Sequence, residues 1–91
     1  DEAILSKEAG KLSGKILLDG DFDPAGTFYA GRPVIKLYNN DLKYLFAHDN
    51  DFLLITNTWR LNNVIDPKNY EILGHDRDKV LIRKSPHNKP L

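Results

Sequence analysis

The residues best suited to chemistry lie in one short stretch, Asp19-Gly20-Asp21-Phe22-Asp23-Pro24-Ala25-Gly26. Carboxylates at alternate positions of a turn are how calcium loops begin, because a hard cation needs several oxygens converging on it. Counted from Asp19, an EF-hand requires glycine at its sixth position and glutamate at its twelfth, where this chain has Pro24 and Ala30. Asp19, Asp21 and Asp23 are therefore candidate ligands for Ca²⁺ or Mg²⁺ in a loop of another kind. The competing reading makes them turn residues whose carboxylates cap backbone amides. No other cofactor is expected.

Two His-Asp-x-Asp strings, His48 to Asp51 and His75 to Asp78, combine imidazole and carboxylate, the donors a transition metal uses. Equivalent positions in successive units need not face one another, so repeated structural turns are the reading favoured here. Ser85 and His87 have no oriented acid partner or oxyanion donors near them in sequence and do not make a nucleophile pair. No catalytic residue is assigned, and the chain is read as non-enzymatic. Trp59 with Arg60, and Phe28-Tyr29 with Arg32, set aromatic and basic side chains side by side. Those types dominate interaction hot spots. These five are the candidate partner-binding residues, with core packing as the alternative for the aromatics.

The elements that must hold these groups belong to a small chain of 91 residues, 41% apolar and 29% charged, with thirteen basic and thirteen acidic residues and net charge zero. One domain with a thin core follows from that length. The absence of a basic excess argues against nucleic acid as the partner. Cysteine is absent, which excludes disulfides and thiolate chemistry. Methionine is absent too, even at position 1, which suggests that Asp1 is a processing boundary. No apolar run approaches the roughly 20 residues of a membrane helix.

Residues 1–15 read as an N-terminal arm or short helix around Ala3-Ile4-Leu5, Ala9 and Leu12. Residues 16–91 read as a single β-rich domain. Ile16-Leu17-Leu18, Val34-Ile35, Leu53-Leu54-Ile55, Val64-Ile65 and Val80-Leu81-Ile82 are short apolar runs bounded by turn residues, the pattern of strands. Phe46 to Ile55 matches Leu73 to Ile82 position for position at an offset of 27 residues. A looser copy begins at Asp21. Each unit reads as a turn, a strand, a second turn (Ala30-Gly31, Asn57-Thr58, Lys84 to Asn88) and a returning strand carrying Arg32 with Val34, Arg60 with Leu61, or Lys89 with Leu91. Asp66-Pro67 opens a helical turn between units, and Asn40 to Phe46 occupies the corresponding place one unit earlier. The expected fold is mainly β within the α+β class, with about three β-hairpin units of about 27–28 residues.

Asp66-Pro67-Lys68-Asn69-Tyr70-Glu71-Ile72-Leu73, followed by Asp76-Arg77-Asp78-Lys79-Val80-Leu81-Ile82 and Lys89-Pro90-Leu91, resembles the repeats of the DKNYY family of bacterial proteins over residues 21–91. The family's Asp-Lys-Asn is replaced by Asp49-Asn50-Asp51 and Asp76-Arg77-Asp78, and only Phe28-Tyr29 keeps its aromatic pair. The resemblance implies a repeat module of a bacterial envelope-associated or secreted protein that acts through contacts with a protein partner or adjacent domain. It supplies no catalytic residues. Separately, Gly20 to Gly26 resembles the acidic segment of topoisomerase-primase (Toprim) domains, where an Asp-x-Asp pair after a strand helps bind magnesium for phosphoryl chemistry. That fold requires parallel strands with helices between them, and Gly31-Arg32-Pro33 stands where a helix should run. The expected function is accordingly a non-catalytic binding or structural module, and the alternative is a divalent-metal-dependent module or enzyme centred on Asp19, Asp21 and Asp23.

Overall fold

The computed structural model describes residues 2–19, 30–37 and 41–85. In chain order these form α1 (Glu2–Gly10), β1 (Lys15–Leu18), β2 (Val34–Lys36), α2 (Leu42–His48), β3 (Phe52–Asn57), α3 (Thr58–Val64), a 3₁₀ turn (Pro67–Asn69), β4 (Tyr70–Asp76) and β5 (Lys79–Lys84). The fold is a small α+β fold. Its five strands make one mixed sheet in the order β2-β1-β3-β5-β4. β1 is parallel to both β2 and β3, while β5 is antiparallel to both β3 and β4.

Each central strand is apolar without alternation because it is covered on both faces. Leu17, Leu54, Val80 and Ile82 join a core on one face with Leu42, Leu45 and Phe46 of α2 and Leu61 of α3. Ile16, Leu18, Leu53, Ile55 and Leu81 join a second core on the other face with Leu5 and Ala9 of α1. Of the two readings of the N-terminus, arm or short helix, it is a helix that forms, and α1 is part of the packed body, since Leu5 and Ala9, one helical turn apart, are both fully buried. Gly10 is required at the end of α1, where a side-chain carbon would sit 2.0 Å from the Ala30 carbonyl oxygen.

Only part of the expected hairpin pattern is present among the described residues. In the middle unit β3 forms as expected, but the returning strand expected at Arg60-Leu61 is helix α3. Leu61, Val64 and Ile65 recur at helical spacing and pack on the core formed with α2, so burying that stripe outweighs the turn tendency of Asn57-Thr58. The hairpin that does form, β4-β5, straddles the boundary between the proposed second and third units. Lys89 to Leu91, the last expected return, lie outside the described residues. Two local expectations hold. Asp66 caps the 3₁₀ turn by accepting from the Lys68 N–H at 3.1 Å, with Pro67 at its start. Asp41 caps α2 by accepting from the Tyr44 N–H at 2.9 Å, and α2 extends the single turn expected there.

One of the two features that the Toprim-like segment requires, parallel strands, is present. β1, β2 and β3 run parallel, and α2 lies between β2 and β3. Ala30 has helical backbone, and Gly31 leaves it at φ +74°, a conformation natural to glycine.

Candidate functional site

Asp19 is the first residue beyond β1. Its N–H donates to the Ile55 carbonyl at 2.9 Å, and the Leu37 N–H donates to the Leu18 carbonyl at 2.8 Å, so the parallel ladder holds the backbone here on both sides. Leu17 and Leu18 face opposite cores, which turns Asp19 to the α2/α3 side. Near the end of β3, Thr56 lies opposite Val80 and shares that face. Arg60 reaches down from the first turn of α3.

The three side chains meet on one oxygen. Asp19 Oδ2 accepts from Thr56 Oγ1 at 2.7 Å and from Arg60 Nε at 2.6 Å. Asp19 is 3% exposed and Thr56 is fully buried, while the Arg60 side chain keeps 31% of its surface. The group lies at the carboxyl ends of two neighbouring parallel strands. From β1 the chain crosses to β2 on one side, then passes back over β1 to β3 on the other, so strand order reverses at this pair. In open α/β sheets that reversal opens the crevice where ligands bind.

The remaining candidates are dispersed. Asp21, Asp23, Phe28 and Tyr29 lie outside the described residues. Arg32 donates to the Gly14 carbonyl at 2.6 Å, to the Ala9 carbonyl at 3.2 Å and to the Leu12 carbonyl. It closes the carboxyl end of α1, where free carbonyls and the helix dipole favour a cation. Trp59 is 61% exposed, and Arg60 beside it is engaged with Asp19. Among the described residues no three His, Asp or Glu side chains come together as a metal site. His48 ends α2 and stacks on Tyr44 at a ring separation of 4.2 Å, while His75 lies on β4.

The two His-Asp-x-Asp strings adopt different turns. In the first, Asp49 ends α2 and its Oδ1 accepts from the Asp51 N–H at 3.1 Å. In the second, Asp76 pairs with Lys79, and Arg77, at φ +58°, turns the hairpin. Both lead into buried strands, β3 and β5, which pair with each other.

Thr56, and the role of Arg60 toward Asp19, were not foreseen. The available signal was a threonine closing an otherwise apolar run, Leu53-Leu54-Ile55-Thr56, with arginine one helical turn later. A polar residue ending a fully buried strand needs a partner. No family model matches the chain, and neither a curated protein nor a solved structure matches it.

Proposed function

We propose that the chain binds a small anionic molecule at the carboxyl edge of its parallel strands, aided by a divalent cation on the acidic loop that Asp19 begins. The observation that carries this reading is the buried Asp19, held by Thr56 and Arg60 where strand order reverses. A buried ion pair adds little stability over apolar packing of the same volume, so its value lies in what it positions. With Nε committed to Asp19, the Arg60 guanidinium has a fixed plane at a half-open site, suited to a carboxylate or phosphate. Asp21 and Asp23 follow in sequence, and carboxylate oxygens are the donors a hard cation prefers. The resemblance of Gly20 to Gly26 to the Toprim acidic segment agrees with magnesium-assisted phosphoryl chemistry, and the parallel strands that such a site needs are present.

Calorimetric titration of Mg²⁺ and Ca²⁺, with and without inorganic pyrophosphate, tests the reading. Saturable binding is expected, lost in an Asp21→Asn, Asp23→Asn variant and weakened toward pyrophosphate by Arg60→Met. Absence of heat from both cations and the anion sinks it.

A second reading keeps the chain as a non-catalytic contact module of a bacterial envelope or secreted protein, as the DKNYY resemblance implies. Trp59 favours it, because an indole this exposed on a short helix suits a protein contact. Photo-crosslinking from position 59 in a bacterial envelope preparation separates the two: a defined protein adduct supports the module, and none leaves Trp59 a surface residue.

A further inference from the structure

We draw no further inference here: the strongest candidate, the outer edge of β4 with the exposed Ile72 on it, carries nothing because no contact among the described residues shows what pairs with that edge or covers it.

Discussion

The two halves of the sheet end in different ways, and β3 belongs to both. On its parallel side, β3 and β1 release the chain into crossovers, leaving a polar group of Asp19, Thr56 and Arg60 under the start of α3. On its antiparallel side, β5 returns to β4 through Arg77-Asp78, and the edge is closed by backbone pairing. A parallel pair cannot be joined by a tight turn. Its strand ends therefore stay open to side chains, and the polar group gathers there rather than at the hairpin. The hairpin turn also meets the start of α3, where the Thr58 N–H donates to the Asp78 carbonyl at 2.8 Å.

The sharpest way to break this contrast is Asp19→Leu. The leucine fits the apolar surroundings but leaves the Arg60 charge and the Thr56 hydroxyl without their acceptor, at a cost of about 3 kcal/mol in urea unfolding. Adding Arg60→Met should recover part of that loss, because the half-buried charge that faced the Asp19 carboxylate is removed with it. A double variant as unstable as the single one would mean that Asp19 acts by another route.

The same contrast explains what could be read from the sequence. Apolar runs marked every central strand, and Asp66-Pro67 marked a helical turn, Asp66 by capping an amide and Pro67 by its fixed backbone angle. The direction of the strands was hidden. Ile16-Leu17-Leu18 and Leu53-Leu54-Ile55 lack alternation, the mark of burial on both faces, yet such runs also suit a β-sandwich core. The repeated His-Asp-x-Asp signalled a turn into a strand and nothing about where the chain came from, so a helix end and a hairpin shared one motif. Asp19 was legible as a ligand candidate from its neighbours. Its real partners, 37 and 41 residues away, depend on strand order, which local patterns do not carry.

Next in size are two basic side chains that close helix ends, one on each core. Arg32 serves α1 through three carbonyls. Lys84 serves α2 through the Phe46 carbonyl, and also bonds the Asn50 side chain at 2.8 Å. Arg32→Ala should cost about 2 kcal/mol and Lys84→Met about 1 kcal/mol, since more carbonyls lose a charged donor in the first. Hydrogen exchange should show α1 amides opening selectively in Arg32→Ala. Equal protection of α1 in both variants would show that Leu5 and Ala9 hold the helix without Arg32.

A smaller effect concerns pH. Burial raises the Asp49 carboxyl, but the hydrogen bond and charge of Lys15 with the Asp51 and Asn50 N–H groups outweigh it and hold the carboxyl below the ordinary 3.8. The unfolded state then binds the proton more readily. The contribution is complete above 3.8 and disappears as pH falls below that value through the folded one. Lys15 is 47% exposed, so solvent screening limits the effect to under about 1 kcal/mol. Asp49→Asn should flatten the acid limb of the stability curve by lowering stability at neutral pH by up to that amount and leaving the acid end unchanged.

The smallest expected change tests the closed edge. Arg77 sits at φ +58°, where an L side chain costs about 1–2 kcal/mol, while glycine accepts the angle but loses about 0.5–1 kcal/mol of chain entropy. Arg77→Gly should therefore stabilise the chain slightly, by about 0.5 kcal/mol, as a small rise in the urea midpoint. Cation titration at Asp19 should be unaffected, because the Asp78 carbonyl that the Thr58 N–H bonds is backbone, which the substitution leaves in place. A change in cation affinity would mean that the hairpin sets the position of α3, and with it Arg60, making the two halves one mechanical unit.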